Sequence, residues 1–292
     1  GDAMSAGNKM KIVICGKNGL VGSKLEEMFL SQHNEVVGIK VRENTGFEDI
    51  VSDLENSDIL INLSGTTIVG RWSESYKKSL YNSRIKTTKK LVDAMALCKE
   101  RPKLFLSASA VGIYDSINKH DDNSKSYADD FLSQLCQDWE GEARKAEELG
   151  VRCVQTRFGV IYAKEGGAMQ KMLPPFMMGV GGKLGSGQQM VSWIHIDDLL
   201  RAVEFLIKTP AIKGSLNFTA PFPLSNKEQT NILGDVLHRP TFFIVPAFML
   251  KLIFGEGSTV MLDSKEVYPT KLLENDFSFK YPKFEDALKD IV

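Results

Sequence analysis

Short apolar runs and longer stretches with apolar residues every three or four positions alternate through the first half of the chain. Lys11–Cys15 is a run of the first kind, and Leu20–Leu30 follows it with helical periodicity. Val36–Val41 and Ile59–Leu63 are further runs. Tyr81–Cys98 is a long helical stretch with Ile85, Leu91, Val92 and Met95 on its apolar stripe. Leu104–Leu106 is a fourth strand ending in small residues, and Ala128–Leu149 a helix with acids and bases on one face. Val151–Arg157 is a fifth strand, stopped by Gly159. Strands alternating with helices at this spacing define βαβ units and a parallel sheet.

After Ala163 the pattern changes. Glycines crowd Gly179–Gly187, and Pro174 and Pro175 are expected to interrupt a helix. Ile196–Ile207 is helical again and is expected to pack back on the sheet. The last third, with Pro221, Pro223, Pro240, Pro246, Pro269 and Pro282, reads as short helices and strands. The expected fold is therefore α/β: a Rossmann-type doubly wound parallel sheet with a smaller C-terminal α+β substrate lobe. Residues 10–163 form the sheet domain with 195–215 packing on it, and 164–194 and 216–292 form the lobe. The glycine stretch joins the two as a mobile substrate loop or as a rigid turn. No internal repeat or low-complexity segment is present.

Composition narrows the classes of partner. The 292 residues are 43% hydrophobic and 25% charged, with a net charge of −1 and no long run of one sign. Nucleic-acid and membrane-surface binders concentrate positive charge, so neither partner is expected. No apolar stretch reaches the roughly 18 residues of a membrane helix. Gly1–Lys9 lacks an apolar signal core and reads as an expression scar or floppy leader. Cys15, Cys98, Cys136 and Cys153 form no CxxC pair and are expected to be free, buried thiols in a reducing cytoplasm. The histidines show no metal-ligand spacing, so no metal is expected.

Candidate chemistry begins at Gly16-Lys17-Asn18-Gly19-Leu20-Val21-Gly22, between the first strand and its helix. One glycine permits the tight turn, one admits a pyrophosphate to the backbone, and one lets helix and strand pack closely. The helix start presents unpaired N–H groups to the anion. An acid at the end of the second strand would bind a ribose 2′-hydroxyl and select NAD(H). This chain has Lys40 and Arg42 there, about 20 residues beyond the loop, which suits the 2′-phosphate of NADP(H). Lys17 can add a further charge to the same phosphate. NADP(H) is the expected cofactor ahead of NAD(H).

The loop, together with Asn62-Leu63-Ser64-Gly65 and Ser107-Ala108-Ser109-Ala110-Val111-Gly112, resembles the extended short-chain dehydrogenase/reductase superfamily. Arg71-Trp72-Ser73, Ser83-Arg84-Ile85-Lys86-Thr87-Thr88, Asp138-Trp139-Glu140, Gly185-Ser186-Gly187-Gln188, Ser192-Trp193-Ile194-His195-Ile196-Asp197-Asp198 and Pro269-Thr270-Lys271-Leu272 narrow it. They resemble an atypical, nucleoside-diphosphate-sugar epimerase-like branch. The resemblance runs from Met10 to the C-terminus. It implies that Asn62–Gly65 line the adenosine and diphosphate side of the cofactor, and that Ser107 and Ser109 end their strand beside the nicotinamide. It also implies substrate contacts from Gln188, Trp193 and His195, although each has a plain structural reading in a turn, a core or a hydrogen bond.

The superfamily's usual chemistry uses a serine with a tyrosine and lysine spaced YxxxK on one helical face. Ser109 stands at the serine position. Counting back from Arg157, the tyrosine belongs within Phe131–Gln134 and the lysine four residues on, but neither is present. Tyr114 is a substitute proton donor or a packing aromatic, and Cys136 stands near the lost lysine. Arg84 is placed to grip a substrate phosphate or carboxylate, or to pair with a neighbouring helix. Two functions follow. The preferred one is an NADP(H)-dependent oxidoreductase or nucleotide-sugar epimerase-like enzyme acting on a small polar or nucleotide-linked substrate. The alternative is a non-catalytic NADP(H)-sensing protein, favoured by the missing YxxxK pair. A homodimer through Tyr81–Cys98 and Ala128–Leu149 is the expected assembly.

Overall fold

The computed structural model describes residues 9–292, so the leader expected over Gly1–Lys9 lies almost wholly outside the described residues. The first half runs β1 (Lys11–Cys15), α1 (Leu20–Ser31), β2 (Glu35–Ile39), α2 (Phe47–Leu54), β3 (Ile59–Asn62), α3 (Glu74–Leu97), β4 (Leu104–Ala110), β5 (Lys119–His120), α4 (Phe131–Arg144), β6 (Arg152–Phe158) and β7 (Val160–Tyr162). It continues through α5 (Gly167–Met177), β8 (Gly182–Leu184), β9 (Met190–Val191), β10 (Trp193–His195), α6 (Ile196–Lys208), β11 (Gly214–Phe218), β12 (Leu224–Ser225) and α7 (Asn226–Leu237). The chain ends with β13 (Phe243–Val245), α8 (Ala247–Phe254), α9 (Thr259–Leu262), β14 (Glu266–Val267), α10 (Thr270–Glu274) and α11 (Phe284–Ile291).

Six strands form one parallel sheet in the order β11-β6-β4-β3-β1-β2. From β1 the chain steps outward to β2, then crosses back over β1 to β3 and onward. The connections diverge between β1 and β3, which opens a crevice at the C-terminal strand ends. Side-chain alternation explains why these strands read as unbroken apolar runs. Ile12 and Ile14 meet Leu25 and Phe29 of α1 and Leu199 and Leu206 of α6. Val13 and Cys15 face the other way, onto Ile50 of α2, Leu91 and Met95 of α3 and Ala143 of α4. Both faces are covered, so neither alternate position is polar.

Element ends depart from the sequence pattern where capping outranks periodicity. α3 starts at Glu74, well before Tyr81, because the Ser73 hydroxyl accepts from the Tyr76 N–H at 3.2 Å. α4 starts at Phe131, where the Asp130 carboxylate accepts from the Ser133 N–H at 2.9 Å. After Arg144 the chain tightens into a 3-10 turn that ends at Gly150, whose φ is 78°. Pro174 and Pro175 do not interrupt α5, contrary to the sequence expectation. The carbonyls they deprive of N–H partners belong to Gln170 and Lys171, which are exposed to water.

The remaining strands pair in twos: β10 with β7, β12 with β9, β13 with β8 and β14 with β5. Tyr162, Trp193, Phe284 and Leu288 centre a separate apolar cluster there. The glycine stretch forms hydrogen-bonded turns. Gly185 (φ 58°) donates its N–H to the Val245 carbonyl at 2.8 Å, and Gly187 (φ 70°) donates to Leu184 at 3.1 Å.

Candidate functional site

The glycine turn opens onto a cleft of about 640 Å³ at the β1/β3 divergence. Gly16 has φ +95°, and a Cβ there would stand 2.9 Å from the Leu63 carbonyl carbon. A Cβ on Gly22 would lie 2.2 Å from the Gly16 oxygen, so only glycine lets α1 approach the turn this closely. Gly19 precedes α1 and provides no side-chain cap, which leaves first-turn N–H groups beyond Asn18 without intrahelical partners. Gly16, Ser64 and Gly65 line the cleft at the strand ends, with Lys40 and Arg42 beyond β2. Neither Lys40 nor Arg42 has a carboxylate partner among the described residues.

Sequence reasoning missed the far wall. Ser83, Lys86, Thr87 and Lys90 of α3 line the same cleft. They repeat at three- and four-residue intervals, a polar stripe that could have been read as one helical face. Lys90 donates to the Arg42 and Glu43 carbonyls at 3.1 Å each, and Lys86 lies 3.4 Å from Glu43. Four cations therefore face the cleft against one acid, Glu43. Lys17 does not join them: its ammonium pairs with Glu26 at 3.0 Å, across the first turns of α1.

Asn62 and Leu63 support the cleft without lining it. Asn62 is fully buried; its amide donates to Thr88 at 3.0 Å and its oxygen accepts from the Ser64 hydroxyl at 2.6 Å, which pins the turn. Ser107 lies beside it in register, 1% exposed, with a hydroxyl that has no hydrogen-bond partner. Ser109, on the same face of β4, donates to the Glu140 carboxylate at 2.5 Å. Glu140 also receives two hydrogen bonds from Arg157, both at 2.8 Å. The alternation of β4 turns both serines away from the cavities. The Ser109 hydroxyl is taken up by Glu140 of α4, and neither Ser107 nor Ser109 lines a cleft, so the expected catalytic role of Ser109 and cofactor contact of Ser107 find no support in the geometry.

Tyr114 belongs to the same buried network. Its hydroxyl donates to Asn217 at 2.6 Å and accepts from Arg157 at 2.8 Å, and burial pushes its pKa up to about 12. Its hydroxyl is engaged inside this network and lines neither cleft, which favours the packing role over the proton donor. Cys136 is fully buried, and burial, reinforced by Glu140, pushes its thiol up to about 12, so no reactive thiolate replaces the lysine.

Arg84 is 9% exposed and makes one hydrogen bond, to the Leu80 carbonyl at 3.2 Å. Its guanidinium stacks over Trp139 at 5.1 Å and backs onto Gly65, where a Cβ would come within 2.8 Å. Burial lowers its pKa, and no carboxylate pairs with it among the described residues, so the salt bridge to a neighbouring helix is not formed.

A second, smaller cavity of about 140 Å³ opens beyond the ends of β4 and β6. Leu132, Phe158, Met190 and Val260 supply apolar walls; Asp130, Asp263 and Lys265 are its titratable groups. Leu132 falls within the segment where the superfamily tyrosine belongs and presses on Gly112, where a Cβ would meet its Cδ2 at 2.5 Å. Burial, with Asp130 adding to it, raises the Asp263 pKa against the opposing pull of Lys265.

The other expected substrate contacts stay outside both cavities. Trp193 is fully buried between Tyr162 and Phe284. His195 caps α6, its Nδ1 accepting from the Asp197 N–H at 2.9 Å, which leaves Nε2 to donate to Asp290 at 2.9 Å. Those two bonds occupy both ring nitrogens in the one His/carboxylate cluster with metal-like spacing among the described residues. Gln188 is exposed at the turn, while Gln189 beside it points inward to the Leu184 and Met261 carbonyls.

A parallel doubly wound sheet with a glycine-lined crevice at its switch point defines a dinucleotide-binding class of protein, and comparison with known proteins makes the class specific. Residues 12–217 match the NAD dependent epimerase/dehydratase family, and residues 245–291 match a domain of unknown function, DUF1731. The chain belongs to the NAD dependent epimerase/dehydratase family. It is 40% identical over 274 residues to the chloroplastic epimerase family protein SDR39U1 homolog of Arabidopsis thaliana, covering 92% of this chain and 77% of that one. It is 37% identical to the epimerase family protein SSP1921 of Staphylococcus saprophyticus, covering 96% and 98%. Among solved structures, human epimerase family protein SDR39U1 (isoform 2) with NADPH superposes with TM-score 0.87 at 30% identity, covering 97% and 99%. The nucleoside-diphosphate sugar epimerase of Corynebacterium glutamicum gives 0.76 at 28% identity, covering 97% of this chain and 58% of that one. No helix among the described residues is long and apolar enough to cross a membrane.

Proposed function

We propose that this chain is an NADP(H)-dependent oxidoreductase acting on a small carbonyl or alcohol without the YxxxK pair. The observation that carries the reading is the cleft at the β1/β3 divergence. There Gly16 of the glycine turn, next to an uncapped helix start, meets the cations Lys40, Arg42, Lys86 and Lys90. The space that a Cβ at Gly16 or Gly22 would need is already taken by backbone, and such close strand–turn–helix packing supports a diphosphate-binding turn. Backbone N–H groups at the start of α1 would hold the diphosphate, and the four cations would hold the 2′-phosphate. NADPH in the human relative supports this choice.

When bound, such a cofactor supplies or accepts a hydride. A proton must accompany the hydride, and Ser109, Tyr114 and Cys136 line neither cavity. Asp263 lines the second cavity and keeps its proton more tightly than an ordinary carboxyl, which suits donation to a carbonyl oxygen. Lys265, whose ammonium donates to the Tyr114 carbonyl at 2.5 Å, fixes that wall. The cavity's about 140 Å³ is well below the roughly 300–1,000 Å³ of pockets for larger ligands. That favours a small substrate over a nucleotide-linked sugar.

Calorimetry on cofactor-free protein tests the first half of the reading: NADPH should bind more tightly than NADH, and no heat from either overturns it. NADPH oxidation across a panel of small aldehydes and ketones tests the second. Thermal stabilisation by NADPH with no turnover on any of them would assign the chain to cofactor sensing.

A further inference from the structure

The largest exposed apolar residues are not scattered. Phe242, Phe243 and Ile244 at β13 stand 75%, 47% and 56% exposed, and Phe248, Leu252 and Ile253 along α8 stand 64%, 71% and 56%. Phe248, Met249, Leu252 and Ile253 recur at one- and three-residue steps, so they share one side of α8. The end of α5 adjoins them: Arg239 donates to the Met177 carbonyl at 3.1 Å, and Met178 beside it is 76% exposed. Phe242 stacks on Phe243 at 4.8 Å. At roughly 200 Å² for each fully open side chain of this size, the patch presents about 1,000 Å² of apolar surface. The largest patch on an ordinary monomer is about 300–600 Å².

We propose that this face, β13 with α8 and the end of α5, is a homodimer interface formed with a second copy of this chain. The inference does not rest on the cofactor reading. Three observations favour a second copy as the occupant. The area exceeds the roughly 800 Å² per partner that a stable interface of standard size needs. Lys251 is the one charged residue on α8, and charge is depleted at the centres of such interfaces. β13 pairs with β8 alone, so its other edge carries no strand among the described residues. A two-fold axis through that edge would set β13 antiparallel to its own copy. A lipid surface fits less well, because an open strand edge has no hydrogen-bond partner in hydrocarbon.

The interface expected from sequence, α3 with α4, has the opposite character. Lys78, Lys89 and Asp93 are exposed along α3, and Gln134 and Arg144 along α4. Surfaces this polar do not exclude water from a dimer core.

Sedimentation velocity on the full chain should give twice the chain mass, and Phe248→Glu with Leu252→Glu should give the single-chain mass. The variant should keep the wild-type circular dichroism and NADPH affinity. Lys78→Glu with Lys89→Glu, on α3, should stay dimeric. Ile244→Cys supplies a check that needs no disruption: all four native cysteines are buried, so a short bis-maleimide should join two chains only in that variant. A monomeric wild type, a dimer that survives the α8 substitutions, or failure of Ile244→Cys to cross-link overturns the proposal. A wild type that is monomeric and floats with vesicles of anionic phospholipid would assign the face to lipid instead, and equally overturns it.

Discussion

Replacing Gly22 by alanine adds one methyl group at the point where α1 crosses the glycine turn. Its carbon would start 2.2 Å from the Gly16 oxygen and 2.9 Å from the Lys17 Cα. Carbon contacts settle near 3.5–4.0 Å, so the turn and the first helical turn must part by about 1 Å. Such overpacking costs about 1–3 kcal/mol of stability. The larger effect falls on the ligand. Hydrogen bonds to a charged group contribute about 1.5–3 kcal/mol each, and misaligning two of them weakens NADPH binding on the order of a hundredfold or more. Calorimetry reads the affinity and thermal unfolding reads the stability. Gly19→Ala is the informative companion. Gly19 has φ −74°, and its Cβ would meet nothing in the chain closer than 3.7 Å. That variant should fold with an unchanged Tm and still lose affinity, because the new methyl enters the space reserved for the diphosphate. If both variants bind NADPH within about threefold of the parent chain, no anion rests on this turn and the cleft assignment is wrong.

Lys40→Glu with Arg42→Glu should weaken NADPH more than NADH in parallel titrations; an unchanged ratio would show that these charges never meet the 2′-phosphate. Arg157→Met leaves the Glu140 carboxylate, 1% exposed, without its bidentate partner. Unfolding in urea should then reveal a loss of about 3–5 kcal/mol, and a loss under about 1 kcal/mol would mean that the network is not a unit. Asp263 has a raised pKa, so the stability linked to its bound proton is complete below the unfolded-chain pKa and is lost as pH rises through the folded one. Asp263→Asn should therefore raise Tm near neutral pH and leave it unchanged in acid, while removing any carbonyl reduction. Equal shifts at both pH values would show that the surroundings do not raise the Asp263 pKa.

Much of the fold could be read in advance because its causes are local. An apolar run with no polar alternate, as in Ile12–Cys15, already says that both faces of a strand are covered. Gly16 and Gly22 answer to a positive φ and to a clash a few residues away, both within reach of a motif. Lys40 and Arg42 follow by distance along the chain from that motif. Helix starts were less legible: the residues that follow the Ser73 cap are mostly polar and carry little apolar period, and α4 begins only after the Asp130 cap, beyond Ala128 where the pattern placed it.

The site beyond the turn was decided in three dimensions. Which way Ser107 and Ser109 point depends on the pleat of β4 and on Glu140 and Arg157 waiting on that side, information spread over three elements. Lys86 and Lys90 became part of the cleft only when α3 was laid along the ends of β2 and β3. Asp130 and Asp263 share a cavity from distant parts of the chain, and Trp193 and His195 were drawn into a core and a helix cap. A residue's type and spacing determine what its backbone can adopt, whereas exposure and the choice of partner are set by whichever segment packs against it. The sequence alone therefore determined the parallel sheet and the anion-binding turn, while the tertiary structure decided which side chains meet a ligand.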